Sequence, residues 1–251
     1  MREKNPQTHS PRLSVRAADM RTELAANALL RRCMAERGLA ALPLPIPIEE
    51  WIESPLGYRF EIVSDAELGP GILGRARPSV GEIAINECLL QHEGRYRFTC
   101  AHELAHLTLH HGESGGYSDG ELPRDGDASR IEREADRFAA AFLVPGDTLG
   151  DAIVRTLADD QLAPQCLEML RGDDVIAVWL WRRCVLPRLA EVYEVSKPAM
   201  AYRCRELRLP NQRRLVRPSL VPLLTCPEAA IRVLPLSEIV VKEGVPRLAK
   251  A

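Results

Sequence analysis

The chain has 251 residues, 46% of them hydrophobic, and a formal net charge of −2. That length suits one large domain, or one domain with an appendage, and the hydrophobic share can fill a packed core. The charge balance gives no global sign of a nucleic-acid or membrane partner, and no run of 18 apolar residues offers a transmembrane helix.

Residues 1–16, MREKNPQTHSPRLSVR, carry basic side chains without an apolar stretch. They read as a disordered lead-in and not as a secretory signal. Residues 17–38 read as a helix: Leu24, Ala28 and Cys33 recur at helical spacing and Gly38 supplies a stop. Pro43, Pro45 and Pro47 then force an extended connection, followed by a short helix over 48–53. Residues 58–63 alternate as a strand does, and 81–86 (GEIAIN) form a second strand. The Gly- and Pro-rich stretch between them reads as a loop or irregular hairpin. A helix over 95–111, stopped by Gly112, precedes a loop rich in Gly, Ser and Asp. Another helix over 129–143 ends at Pro145, and the chain stays mainly helical to Leu209. Residues 238–242 form a short β-like piece.

The seven cysteines are scattered and never spaced as CxxC. That pattern argues against a disulfide framework and a thiolate zinc site, and it fits a reducing, cytoplasmic setting.

Five of the six histidines lie between His92 and His111. Within that stretch HELAH places His102 and His106 four residues apart, one turn along the same helix face. Two imidazoles so placed can meet one tetrahedral zinc ion. Glu103 is rotated about 100° from His102, so it flanks the ion and is placed as a general base. The apolar residues Phe98, Ala101, Leu104, Ala105, Leu107 and Leu109 surround the helix, which marks it as buried. Buried histidines and a buried carboxylate need partners, and a zinc site supplies them. His110 and His111 read as helix-terminal or solvent-exposed residues.

A catalytic zinc site needs a third protein ligand. Positions 109 and 112 are Leu and Gly, so the sought ligand is a downstream carboxylate. In RIEREADRFAAAFLVP, residues 130–145, Ile131, Ala135, Phe138 and Phe142 mark the buried face. Glu132 and Glu134 flank it on either side. Glu134 has Arg130 and Arg137 at ion-pair spacing. Glu132 shares its side with Asp136, an arrangement that suits one carboxylate on the metal and the other on a histidine N–H. Glu132 is the expected ligand and Glu134 the alternative; Ser129-x-x-Glu132 can also be a capping box.

RFTCAHELAHLTLHH followed by EREADRFAAAFLVP resembles the ImmA/IrrE family of bacterial zinc metallo-endopeptidases. The resemblance covers roughly residues 20–145, and the paired motifs are far more specific than HExxH alone. It implies an α+β, zincin-like fold with a small sheet and an active-site helix. It places zinc on His102, His106 and Glu132, makes Glu103 the general base, and puts Asp136 at the family's Asp/Asn position. It also implies a protein substrate, a helix-turn-helix repressor in a stress-response or mobile-element circuit. For the oxyanion, Tyr117 in the loop between the motif helices is a weaker candidate.

The expected organisation is a lead-in (1–16), a metallopeptidase domain (17–150), a helical, helix-turn-helix-like subdomain (151–217) and a tail (218–251). Residues 186–207 carry the helix-turn-helix cadence: Ala190 in the first helix, Val195 and Ser196 in the turn, Met200 facing inward. Glu194 sits where a turn glycine is preferred. From residue 203 to the end, ten Lys/Arg face four Asp/Glu, a local balance of +6 that leaves −8 elsewhere. With Arg203, Arg205 and Arg208, this supports a second reading: a DNA- or protein-binding regulator with a structural or vestigial zinc site. The strand at 83–86 is expected to offer an open edge to an extended substrate.

Overall fold

A computed structural model describes residues 13–16, 19–110, 125–231 and 234–249, with 125–129 described by backbone alone. Helix α1 (Met20–Glu36) buries Thr22, Ala26, Leu30 and Cys33. The expected helix is present; of the residues that marked it, Cys33 is buried and Leu24 is exposed. Helix α1 packs against a later helix, α5 (Asp125–Leu143). Arg137 of α5 holds Asp19, just before α1, at 2.9 Å. It does not pair with Glu134.

Helix α2 (Ile48–Glu53) and strand β1 (Arg59–Val63) lie where the sequence places them. The stretch read as a loop or hairpin holds a one-turn helix, α3 (Asp65–Leu68), and a strand, β2 (Gly74–Arg77), before β3 (Glu82–Asn86). The sheet order is β1-β3-β2, with β3 parallel to β1 and antiparallel to β2. The expected open edge on β3 is thus absent, because β3 is central and paired on both sides. Arg59, Glu82 and Arg77 share one row across the three strands. The buried Glu82 carboxylate meets each guanidinium at 3.0 Å. Asn86 ends β3 by donating to Asp65 Oδ1 and the Ile72 carbonyl and accepting from the Cys88 N–H. That turn delivers the chain into α4 (Glu93–Leu109).

Helix α4 packs against α5, α2, β2 and β3. On α5, Phe138 stacks on Phe142, and Phe142 meets Trp51 of α2 edge-on. Residues 17–145 form one compact unit together with the short segment 192–196. In that segment Glu194 takes a left-handed φ of 49°, the conformation for which a glycine is preferred. Its carboxylate lies 3.5 Å from the Arg97 guanidinium of α4.

The remaining residues form a second unit, which is mainly helical. It contains α6 (Gly146–Asp159), α7 (Cys166–Met169), α8 (Val175–Trp179), a π-type turn over Leu180–Val185, α9 (Leu186–Tyr193), α10 (Lys197–Glu206) and α11 (Val221–Thr225). Strands β4 (Ile239–Lys242) and β5 (Val245–Leu248) pair antiparallel. Arg182 donates to the carbonyls of Leu223 and Cys226 and pairs with Glu228, tying the end of the chain to the π-type turn. Of the expected lead-in, residues 13–16 join this unit: Ser14 pairs with Arg208, and Leu13 and Val15 are buried. Residues 1–12 lie outside the described residues.

Replacing Glu82 with Ala strands two arginines, one on each strand flanking β3. Because both are solvent-exposed, the expected loss is moderate, about 1–2 kcal/mol of unfolding free energy in urea titration. Arg59→Ala, which leaves Arg77 in place, is expected to cost less.

Candidate metal centre

His102 and His106 project from one face of α4, and Glu132 approaches from α5. The Nε2 atoms of the two histidines lie 3.1 Å apart. Glu132 Oε2 is 3.1 Å from His102 Nε2, and Oε1 is 3.6 Å from His106 Nε2. Among the described residues these three side chains form a group able to hold a metal ion, with donor atoms all within 4.8 Å of one another. Ligand bonds near 2.0–2.2 Å in a tetrahedron put neighbouring donors about 3.3 Å apart. The observed spacings bracket that value, so the donor set fits a zinc ion in size and in chemistry. The histidines are largely buried, whereas the Glu132 side chain is 59% exposed, which leaves the site approachable from that side.

Asp136, one turn beyond Glu132, places Oδ1 3.0 Å from His102 Nδ1. A carboxylate there requires the proton on Nδ1, which turns the Nε2 lone pair toward the shared point. Glu134 points elsewhere: its carboxylate lies 3.1 Å from Arg130 and 3.4 Å from His110 Nε2. His110 is not solvent-exposed as the sequence suggested; it is buried at the end of α4. Tyr117, His111 and the side chain of Ser129 lie outside the described residues.

A family profile, the IrrE N-terminal-like domain, matches residues 65–205, more than half of the chain. The chain belongs to the IrrE N-terminal-like domain family. It is a family of peptidases, and the α+β architecture described above agrees with it. Among solved structures, the chain is similar to one titled a Mycobacterium tuberculosis transcriptional regulator, with 21% identity and a TM-score of 0.44. The match covers 77% of this chain and 49% of that one, so this chain spans about half the length of its structural relative. No match was found among curated proteins.

Within this IrrE-like domain, Glu103 is the buried carboxylate beside the metal-ligand candidates. Burial pushes its pKa up to about 7, against the opposing influence of His102. A carboxyl so tuned exchanges a proton near neutrality. It accepts a hydrogen bond from the backbone of Ala76 in β2. Gly74, on the same strand, leaves no room for a side chain: an added Cβ would sit 2.7 Å from Glu103 Oε1 and from Thr99 Cγ2. Gly74 is a site residue that sequence reasoning missed, since its contribution is the absence of a side chain.

The two candidate ligand histidines are shifted in opposite directions. Burial opposes charge on His102, but hydrogen bonds to Asp136 and Glu132 outweigh it and raise the pKa to about 10. His106 is pushed well down by burial and by repulsion from His102. Glu132 is lowered chiefly by its hydrogen bond to His102. With its pKa raised from 6.5, the His102 proton stabilises the metal-free fold fully below pH 6.5, and that contribution is lost as the pH passes through about 10.

At pH 8 a ligand His102 must therefore shed its proton. Zinc titrated into metal-free protein is expected to release about one proton per ion, read by calorimetry in two buffers of different ionisation enthalpy. Release of none would mean that His102 carries no proton to displace at this pH or is not a ligand. For Gly74→Ala the expectation is parental zinc content with a displaced Glu103, lowering kcat/KM by at least about tenfold.

Proposed function

We propose that this chain is a zinc-dependent endopeptidase of the cytoplasm that cleaves a helix-turn-helix transcriptional repressor in a stress-response or mobile-element circuit. The observation that carries the catalytic part is the donor spacing of His102, His106 and Glu132 with Glu103 buried beside them. The repressor substrate rests on the family resemblance of the paired motifs.

A zinc ion held by His102, His106 and Glu132 supplies Lewis acidity toward the scissile carbonyl. Glu103 serves as general base and then returns the proton to the leaving amine. Its placement by Gly74 and Ala76 fixes the carboxylate before substrate arrives. Asp136 keeps His102 in the tautomer that presents Nε2. Strand β2 pairs only with β3 among the described residues and supplies the Ala76 hydrogen bond to Glu103. An extended peptide adding to the outer edge of β2, not to β3, would lie beside that carboxylate.

The competing reading, a regulator with a structural or vestigial zinc site, finds less support. A structural site has no use for a buried carboxyl held near neutrality. The three arginines do not form a free basic stripe: Arg203 is buried, Arg208 donates to the Gln212 carbonyl, and Arg205 sits over the Tyr202 ring. No helix among the described residues is long and apolar enough to cross a membrane.

The test compares the parent with Glu103→Gln in cells, reading new protein N-termini by mass spectrometry. The expected result is a cleaved helix-turn-helix repressor with the parent only, and a cleavage rate at least about 100-fold lower for Glu103→Gln at unchanged zinc content. Regulation retained by Glu103→Gln would favour the non-enzymatic reading.

A further inference from the structure

His106 has two ring nitrogens, and the metal-centre reading, on which this inference rests, uses only Nε2. Its Nδ1 faces Nδ1 of His110, 3.3 Å away. His110 Nε2 in turn faces Glu134 Oε2 at 3.4 Å, and Arg130 holds the other oxygen of that carboxylate at 3.1 Å. His110 is only 5% exposed, so its ring nitrogens depend on these partners and not on bulk water.

We propose that His110 and Glu134 are positioning residues that fix the ring of His106 for the metal. Only one set of proton positions satisfies the chain. If Nε2 of His106 is the bare, ligating nitrogen, Nδ1 carries the proton and donates to Nδ1 of His110. That nitrogen must then be bare, so Nε2 of a neutral His110 carries its proton and donates to Glu134. The arrangement parallels the one at His102, whose outer nitrogen meets Asp136 directly. One ligand histidine is thus oriented by a carboxylate and the other by a carboxylate acting through an imidazole. The spacing gives the reason: residue 110, the C-cap of α4, follows residue 106 by four positions and sets its ring 5.4 Å from that of His106, while Glu134 reaches it from α5. His110 is not itself a ligand in this arrangement, because it contacts the nitrogen of His106 that points away from the shared point. Glu134, the alternative third ligand from sequence, has a different task.

Outer partners of metal-bound histidines typically change metal affinity by about 10–100-fold when lost. The experiment measures zinc affinity by competition with a chromophoric chelator in the parent, His110→Phe, His110→Asn, Glu134→Ala and Glu134→Gln. Metal-free melting temperatures and cobalt(II) absorption spectra accompany it. His110→Phe keeps a ring of similar size without an acceptor; His110→Asn restores an acceptor near the position of Nδ1. The expected result is zinc binding weakened about 10–100-fold in His110→Phe and largely recovered in His110→Asn. Glu134→Ala should weaken it and Glu134→Gln recover it, with the cobalt spectrum unchanged in shape throughout. If His110→Phe fails to fold, the Glu134 pair decides alone. Affinity within about twofold of the parent in His110→Phe, or equal losses in His110→Phe and His110→Asn, would overturn the proposal. So would an altered cobalt spectrum, which would make His110 a ligand. A parent that binds no zinc would remove the metal-centre reading and this inference together.

Discussion

The packing of α4 against α5 is the constraint on which the rest of the site depends. Neither helix holds a complete site: α4 brings two imidazoles and a carboxylate, and α5 brings the third donor and the groups that orient the imidazoles. Each outward step of one turn on α4, from His102 to His106 to His110, is met by a different carboxylate of α5: Asp136, Glu132 or Glu134. Ile131, Ala135, Phe138 and Phe142 form the buried face of α5. A shift of one residue on either side would rotate the donors away by about 100°.

The sheet places the remaining group. Glu103 leans toward β2, where Gly74 clears space for its carboxylate and Ala76 supplies a hydrogen bond. The central strand β3 is braced from both sides by arginines converging on Glu82, so the strand nearest the site is held at one end by an ion-paired row. Burial in this corner is what raises the pKa of Glu103 toward neutrality. The same burial disfavours charge on both His102 and His106, and at His102 the hydrogen bonds to Asp136 and Glu132 outweigh it.

Much of this was legible in the sequence because helical spacing is a strong geometric statement. His102, His106 and Glu103 follow from a five-residue pattern, and the buried face of α5 follows from Ile131, Ala135, Phe138 and Phe142. Strands β1 and β3 lie where the sequence places them, although Ile62 of β1 is exposed and breaks the alternation. What stayed hidden has specific physical causes. Strand β2 reads Gly-Arg-Ala-Arg, with no β-branched or aromatic side chain to reveal it, and that concealed both the true sheet edge and Gly74. Arg137 looked like a partner for Glu134 along one helix, yet it pairs with Asp19, which only the tertiary fold brings near. His110 read as a helix terminus and does cap α4, but its burial beside His106 depends on α5, which only the tertiary fold brings near.

The most direct test is the amount of zinc bound per chain in the purified parent, in Glu132→Ala and in Glu134→Ala, at saturating zinc. The account expects about one ion in the parent, loss of that ion in Glu132→Ala, and retention in Glu134→Ala. Loss in Glu134→Ala with retention in Glu132→Ala, or no zinc in the parent after metal addition, would contradict it.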